Sequence, residues 1–339
     1  MTEHGAQAAF LGIGAHIAKR ADILAKDSLR ILDAVSVLRS MERQDRPMLG
    51  RRVVVCGGGN TAIDVARTAR RLGATDAVIV YRRTRDKMPA HDFELKEALE
   101  EGVKVKWLST ITGADGGHLT IERMVLDAEG KPQPTGTFET LGADSLVLAM
   151  GQDVDMSLLS GIPGLVTADG VVHVDPDTMM TGHPGLFAGG DMAPGERNVT
   201  VAIGHGKRAA RHIDAWLGGR VVAPKAPPKL AGFDHLNTWY YSDAPKSVRP
   251  QLDLARRTSS FDEVQGGLTE TTALFEARRC LSCGNCFECD NCYGVCPDNA
   301  VIKLGPGNRF SINLDYCKGC GICVAECPCG AIEMVPEEN

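Results

Sequence analysis

Residues 52–81 read RVVVCGGGNTAIDVARTARRLGATDAVIVY, and this stretch changes its pattern twice. It opens with the β-branched run Arg52–Cys56 and closes with a second apolar run at 77–81, and both favour buried strands. Between them, residues 60–72 have the spacing of a helix, which Gly73 ends. The stretch therefore predicts one βαβ unit.

Three glycines join the predicted strand to the predicted helix. The pattern Gly57-x-Gly59-x-x-Ala62 is typical of a dinucleotide site when it stands between a strand and a helix. Gly57 permits a tight turn, Gly59 lets a pyrophosphate approach the backbone, and Ala62 allows close packing at the positive end of the helix. The candidate nucleotide contacts are Gly57, Gly58, Gly59, Asn60, Thr61 and Ala62.

Two arginines follow the second strand, where an NAD site offers an acid to the ribose. The guanidinium groups of Arg82 and Arg83 suit a 2′-phosphate, which they bind through paired, charge-assisted hydrogen bonds. The pair therefore favours NADP(H) over NAD(H). The alternative is two arginines on a solvated loop.

The rest of the N-terminal two thirds alternates between strand and helix patterns. Strands are predicted at 8–13, 103–107, 119–126, 145–150, 171–174 and 185–188, and helices at 33–44 and 199–217. This alternation favours the α/β class with a doubly wound, Rossmann-type parallel sheet.

A second, fainter nucleotide signature follows two of these strands. Gly151 comes directly after the strand at 145–150, and Gly190 and Asp191 come after the strand at 185–188. An aspartate there can accept hydrogen bonds from the ribityl hydroxyls of a flavin, with the N-terminus of the next helix facing the flavin. The alternative is a Gly-Asp turn that caps the helix.

The cysteines divide the chain into two chemically different parts. Eleven of the twelve lie between Cys280 and Cys329, and eight of these form the motif C-x-x-C-x-x-C-x-x-x-C-P twice. In this motif three thiolates bind one [4Fe–4S] cubane and the fourth reaches the neighbouring one. Structural zinc and disulfides are disfavoured because neither needs the third cysteine and the proline of each motif. The predicted ligands are Cys286, Cys289, Cys292 and Cys327 for one cluster and Cys317, Cys320, Cys323 and Cys296 for the other.

Three cysteines near these motifs have no assigned role. Cys280, Cys283 and Cys329 supply three ligands, one too few for a third cubane. Packing, or a spare thiol near the clusters, is the favoured interpretation, and a third cluster completed by another chain is the alternative. The distant Cys56 is expected to fill a buried strand position.

Composition excludes several classes of function. The net charge is −6 and no basic block stands out, so nucleic acid is not an expected partner. No apolar stretch reaches the length of a membrane span and the start lacks a signal-peptide pattern, so a cytoplasmic location is expected. His91 and His205 lack a paired nucleophile and are not expected to act as general bases.

Four stretches together resemble the small-subunit-like family of NADPH-dependent glutamate synthase, in the form with a C-terminal ferredoxin domain. They are CGGGNTAIDVARTARR at 56–71, YRRTRDKMPA at 81–90, FAGGD at 187–191, and residues 276–297. The resemblance implies a partial FAD-binding domain at 1–46 and 141–220, an inserted NADP(H) domain at 47–140, a connecting segment at 221–275 and an α+β ferredoxin-like domain at 276–339. It also implies that Asp191, Asn198, Val199 and Thr200 line the FAD.

The resemblance also implies a function. Hydride passes from NADPH to FAD and then, as single electrons, to the clusters and to or from a large catalytic subunit or a soluble ferredoxin. The alternative is a non-catalytic wiring subunit whose clusters bridge partner enzymes. The family's first FAD fingerprint is absent, since Gly12-Ile-Gly14 is only a fragment of it. Either the start is truncated, another polypeptide supplies that half, or flavin no longer binds.

Overall fold

The computed structural model of the chain describes residues 5–19, 24–26, 29–42, 46–222 and 230–336. It divides into two compact units, of which the first holds Met1–Ala223 and Leu252–Val264 and the second holds Pro224–Gln251 and Gln265–Asn339. No described helix is both long and apolar enough to cross a membrane.

The first unit contains most of the regular structure. Its described strands are β1 (Ala9–Leu11), β2 (Ile17–Ala18), β3 (Leu24–Lys26), β4 (Arg30–Asp33), β5 (Arg52–Cys56), β6 (Asp76–Val80), β7 (Lys104–Lys106), β8 (Ser109–Asp115), β9 (His118–Leu126), β10 (Pro132–Gly142), β11 (Ser145–Leu148), β12 (Gln152–Asp153), β13 (Thr167–Ala168), β14 (Val171–Val172) and β15 (Leu186–Ala188). Its described helices are α1 (Ala34–Ser40), α2 (Asn60–Arg71), α3 (Asp92–Glu100), α4 (Val199–Leu217) and α5 (Leu254–Ser259).

A parallel sheet of five strands, in the order β4-β11-β5-β6-β7, organises this unit. Side chains alternate across β5, so that Val53 and Val55 pack with α1, α2 and α3 on one face. Val54 points to the other face, where it packs with Leu119 and Ile121 of a second sheet. That sheet has the order β10-β9-β8-β3. The predicted Rossmann-type sheet is therefore present, with helices on one face and strands on the other.

The five-stranded sheet extends beyond the limits predicted for the inserted domain. Strands β4 and β11 lie outside residues 47–140, yet β11 pairs in parallel with both β4 and β5. The chain leaves the sheet after β7, forms the antiparallel strands β8–β10, and returns through β11 to the position between β4 and β5. Backbone hydrogen bonds thus join β4 to β11 and β11 to β5, the strand that leads into the glycine loop at 57–59.

A smaller core supports the second nucleotide signature. Strand β1 pairs in parallel with β15, and Phe187 of β15 packs fully buried against Ala209 of α4. Helix α4 has the bounds that its sequence pattern predicts, 199–217. The predicted helix at 33–44 is shorter in the structure and ends at Ser40; residues 43 and 44 of that prediction lie outside the described residues.

The second unit contains the cysteine motifs. Its described elements are α6 (Glu270–Arg278), α7 (Asn291–Val295), β16 (Val301–Lys303), β17 (Phe310–Ile312) and α8 (Ile322–Ala325), and β16 and β17 pair antiparallel. The connecting segment predicted at 221–275 is more structured than expected, because it contains α5 and the start of α6. Residues 223–229 of that segment lie outside the described residues.

A buried carboxylate holds α5 within the first unit. The side chain of Glu101 is 0% exposed and accepts hydrogen bonds from Arg67 at 2.6 and 2.9 Å and from Arg257 at 3.2 Å. Burial by itself raises the pKa of Glu101, but the hydrogen bonds and charges of Arg67, Arg71 and Arg257 outweigh it and lower the pKa. The Glu101 carboxylate is therefore charged and fully partnered.

Replacing Glu101 tests how much this network stabilises the unit. In E101Q the buried guanidiniums of Arg67 and Arg257 lose the charge of Glu101 and keep only those of Glu97 and Glu100, which costs about 3–5 kcal/mol of unfolding free energy. The same change at the exposed Glu129 (E129Q) is the control and alters the unfolding free energy by less than about 0.5 kcal/mol. Urea unfolding at neutral pH measures both changes in unfolding free energy.

The contribution of Glu101 to stability depends on pH. Because the folded pKa of Glu101 is lowered, this contribution is complete above the ordinary carboxyl pKa of about 4.3 and is lost as the pH falls below it. Equal effects of E101Q and E129Q would contradict this role.

Candidate cofactor sites

The glycine loop follows β5 and leads into α2. Gly57 has φ +149°, and a Cβ there would lie 2.2 Å from the carbonyl oxygen of Ala149, after β11. A Cβ on Gly58 would lie 2.4 Å from the Tyr81 ring. Only glycine fits at both positions. By contrast, Gly59 has nothing within 4 Å of an added Cβ, so the space in front of α2 is open.

That open space lies at the N-terminus of a twelve-residue helix. Gly59 is the N-cap of α2 and offers no side chain to its first N–H groups. The free N–H groups and the helix dipole suit a phosphate. Asn60 accepts a hydrogen bond from the His91 backbone N–H at 3.0 Å, and the Gly58 carbonyl accepts one from Ala90 at 3.1 Å. The turn before α3 is thus fastened to the loop, with Thr61 partly exposed and Ala62 fully buried.

The predicted phosphate-binding arginines differ in their surroundings. Arg82 is exposed, whereas the Nε of Arg83 is buried and has no hydrogen-bond partner among the described residues. A buried donor without a partner costs about 1–3 kcal/mol, and an acceptor from a ligand relieves that cost. The donor set at this site therefore fits a phosphate.

Cys56 is a structural residue beside this loop. Burial raises the pKa of its thiol to about 11, against the opposing effect of the nearby Arg82 charge. The thiol stays protonated at neutral pH, as expected for a cysteine that fills a strand position.

The residues predicted to line FAD lie on two loops and the start of α4. Gly151 and Gly190 have φ of +97° and +71°, a conformation that favours glycine. The partly buried Asp191 carboxylate accepts no hydrogen bond from the described residues, which leaves it available to ligand hydroxyls. Val199 and Thr200 are exposed in the first turn of α4.

Asn198 has a local role in the structure. Its side-chain oxygen accepts the Val201 N–H at 2.8 Å and its amide donates to Glu196 at 3.1 Å. Asn198 is therefore the N-cap of α4, so the alternative interpretation, in which the Gly190-Asp191 turn caps this helix, is wrong.

His205 holds the Gly190 turn. Its Nδ1 accepts the backbone N–H of Gly190 at 3.2 Å, which requires a neutral ring with the proton on Nε2. Burial lowers the pKa of His205, and the Arg208 charge acts in the same direction. The histidine is thus a positioning residue, and sequence spacing had no signal for this contact.

This contact predicts a pH-dependent turn. Because the folded pKa of His205 is lowered, the hydrogen bond is complete above about pH 6.5 and is lost as the pH falls below that value. In H205N the amide oxygen accepts the same N–H without titrating. Hydrogen-exchange protection of residues 189–192 falls about fivefold on acidification in the wild type and not in H205N. The exposed H173N is the control and should behave as the wild type. Identical pH profiles in H205N and the wild type would contradict this role.

One cavity collects the thiols of the first predicted cluster. Its volume is about 370 Å³, and its lining includes Cys286, Cys289, Cys292, Cys327 and Cys329. We refer to it as the five-thiol cavity. Among the described residues, no three His, Cys, Asp or Glu side chains converge to hold a single metal ion. Thiols spread around a cavity suit a cubane, in which each thiolate binds a different iron atom.

The loop that carries this motif is strained and is held by acidic side chains. Glu288 and Asp290 have φ of +59° and +66°, which is unfavourable for residues other than glycine. The Glu288 carboxylate accepts the backbone N–H groups of Gly307 at 3.1 Å and Arg309 at 2.8 Å, and Asp290 pairs with Lys303 at 2.7 Å. These contacts fasten the cysteine loop to the β16–β17 hairpin.

The second motif forms its own group. Gly319 and Gly321 have φ of +66° and +75°, which lets the loop turn between its cysteines. Burial raises the pKa of Cys323 against the hydrogen bond from the Val324 N–H, and the charges of Cys317 and Cys320 act in the same direction as burial. Lys318 on this loop donates to Asp298 at 3.3 Å, two residues after Cys296.

The protonation of these thiols bears on cluster binding. All twelve cysteines are free thiols. Burial raises the pKa of Cys292 to about 11, and the neighbouring charges of Cys289, Cys286 and Cys327 add to it. By contrast, the Ala300 N–H donates to the Cys296 sulfur at 3.2 Å and lowers its pKa. Metal binding must displace the thiol protons, and this donor set fits an iron–sulfur cluster.

A Rossmann-type sheet with an open glycine loop, together with a cysteine-motif unit, defines a pyridine-nucleotide oxidoreductase that carries iron–sulfur ligands. The chain belongs to the pyridine nucleotide-disulphide oxidoreductase family, whose model matches residues 5–206. Residues 310–333 match the model of the 4Fe-4S binding domain.

Several proteins of known role are similar to the chain. The NADP(+)-dependent formate dehydrogenase subunit beta of Moorella thermoacetica is 35% identical over 298 residues, covering 81% of this chain and 42% of that protein. The glutamate synthase [NADPH] small chain of Azospirillum brasilense is 36% identical over 219 residues, covering 60% of this chain and 45% of that protein. The NADPH-Fe(3+) oxidoreductase subunit beta of Geobacter sulfurreducens is 29% identical over 325 residues, covering 81% and 48%. The chain spans less than half the length of each relative.

Among solved structures, FprA of Mycobacterium tuberculosis in complex with NADPH has a TM-score of 0.52 at 18% identity, covering 63% of this chain and 64% of that one. This likeness shows the fold. The comparisons confirm the resemblance to glutamate synthase small-subunit-like proteins, the Rossmann-type fold and the oxidoreductase class, and the matched family models are those of a pyridine-nucleotide enzyme and a 4Fe-4S domain.

Proposed function

We propose that this chain transfers electrons between NADPH and [4Fe–4S] clusters through FAD, and exchanges them with a partner subunit or a soluble ferredoxin. The main support is the pairing, within one chain, of the open glycine loop at α2 with the five-thiol cavity. NADPH gives up two electrons as hydride while a cluster accepts one, and a bound flavin supplies the conversion between them.

In this proposal the residues of the first unit bind and orient the nucleotides. Gly57, Gly58 and Gly59 leave room for the pyrophosphate, the N–H groups of Asn60 and Thr61 donate to it, and Ala62 packs the helix against the sheet. Arg82 and Arg83 take the 2′-phosphate. Asp191, with Gly151, Gly190 and the 198–200 turn, contacts FAD. In the second unit, the two cysteine motifs hold two clusters, and each cluster has the ligand set that the cysteine spacing predicts.

The names of the relatives support a partner subunit, and the cysteine content supports a location for the chain. The formate dehydrogenase and glutamate synthase relatives are named as subunits or chains, which favours a larger catalytic subunit as the partner here. Twelve free cysteines suit a reducing compartment, so we place the chain in the cytoplasm. The domain limits proposed for the nucleotide part are those of the sheet, from β4 to β11.

The alternative function is a wiring subunit that does not oxidise NADPH. It requires no phosphate site, whereas the buried, unpartnered Nε of Arg83 and the uncapped N-terminus of α2 favour a nucleotide. The two functions make opposite predictions about electron input.

Anaerobic reduction distinguishes them. The full chain, reconstituted with iron, sulfide and FAD, is titrated with NADPH while the visible absorbance of the clusters is followed. We expect bleaching that depends on FAD and is faster with NADPH than with NADH. Dithionite is the control, because it reduces the clusters directly. Clusters that dithionite bleaches and NADPH does not would establish the wiring function instead.

The buried arginine is expected to set the nucleotide preference. R83A removes a charge-assisted hydrogen bond to the 2′-phosphate, worth about 1.5–3 kcal/mol, and raises the KM for NADPH ten- to a hundredfold. The KM for NADH, which lacks that phosphate, stays within about twofold. R85A, an exposed arginine on the same loop, is the matched control and leaves both KM values unchanged. Parallel losses with NADPH and NADH in R83A would show a structural role.

A further inference from the structure

The five-thiol cavity contains one cysteine more than a cubane needs. Four thiolates bind a [4Fe–4S] cluster. The spacing of the motifs assigns Cys286, Cys289, Cys292 and Cys327, and leaves Cys329 without a role. Yet Cys329 lines the same cavity and is only 2% exposed.

The extra thiol lies beside one particular ligand. The sulfur atoms of Cys327 and Cys329 are 3.9 Å apart, so both occupy the same side of the cavity. Cys327 also accepts the Ala331 N–H at 3.3 Å. The two sulfurs are therefore close enough together to serve the same position in the cavity.

The backbone around Cys329 is held in place by other contacts. Gly330 has φ +62°, and a Cβ on it would lie 2.7 Å from the His235 carbonyl oxygen, so this turn requires glycine. The Cys329 carbonyl accepts the N–H of Gly284, in the loop just before Cys286. Because the backbone is fastened in this way, the Cys329 sulfur is presented to the cavity whichever thiol binds iron.

We propose that Cys329 is a reserve ligand, which takes over the iron atom of Cys327 when that thiolate is lost. In the exchange, the Fe–S bond to Cys327 would break, the departing Cys327 thiolate would take the proton of the Cys329 thiol, and the Cys329 sulfur would form an Fe–S bond in its place. No electron is transferred. The simpler explanation, that Cys329 only packs as a small apolar residue, predicts that loss of Cys327 destroys the cluster.

Alanine variants separate the two explanations, since alanine, unlike serine, has no atom that binds iron. The full-length C327A, C329A and C327A/C329A proteins are reconstituted anaerobically, with C283A, an exposed cysteine outside the cavity, as the control. Iron per chain and the EPR spectrum of the reduced protein are measured. We expect wild-type iron in C329A and C283A, wild-type iron with an altered EPR spectrum in C327A, and a loss of about four irons in the double variant.

Two results would overturn the proposal. One is the same loss of iron in C327A as in the double variant, and the other is loss of iron in C329A alone. If C327A folds poorly by circular dichroism, C327V and C327V/C329A replace C327A and C327A/C329A, because valine also has no atom that binds iron, and the same comparison applies. The proposal rests on the cluster assignment above, and the wild-type iron content tests that assignment separately: wild-type protein without iron refutes the proposed function, whereas the variants test only Cys329.

Discussion

The close approach of Gly57 to the Ala149 carbonyl is the constraint on which the nucleotide part depends. Two adjacent parallel strands, β5 and β11, end at the same edge of the sheet, and the chain turns there with no room for a side chain. The turn aims α2 at open space and leaves its first N–H groups uncovered. The proposed phosphate site is therefore a consequence of strand pairing: the carboxyl ends of parallel strands leave a crevice in which helix N-termini gather.

Different interactions hold the loops of the second unit, which contains the cysteine motifs. Its described helices are short and much of its surface is exposed, so apolar burial alone supports little structure. Acidic side chains bonded to backbone N–H groups hold its loops, as Glu288 does at Gly307 and Arg309. Buried thiols such as Cys292, whose pKa is raised to about 11, are held protonated until metal replaces the proton. Metal binding and folding are coupled in such a unit.

The hydrogen-bond network around Glu101 shows how distant chain segments are joined. Arg257 lies 156 residues from Glu101, and the segment that carries it belongs to the first unit although the chain on both sides belongs to the second. A buried carboxylate tolerates few geometries, because each oxygen needs a donor. Salt bridges of this kind fix the position of a short helix such as α5, which has little apolar surface of its own.

Sequence alone determined the parts whose signal is local. The bounds of β5, α2 and α4 follow from β-branched runs, helical spacing and caps, because each of these signals lies within one short stretch, and the ligand sets predicted from cysteine spacing stay a prediction. Helix α3 and strand β10 were not predicted, since the first has a weak apolar stripe and the second is largely exposed. Only the tertiary structure decided that β4 and β11 complete the nucleotide sheet, that His205 holds the Gly190 turn, and that Cys329 faces the cavity of Cys327. These are contacts between residues brought together by packing, and packing depends on the whole chain rather than on any window of it.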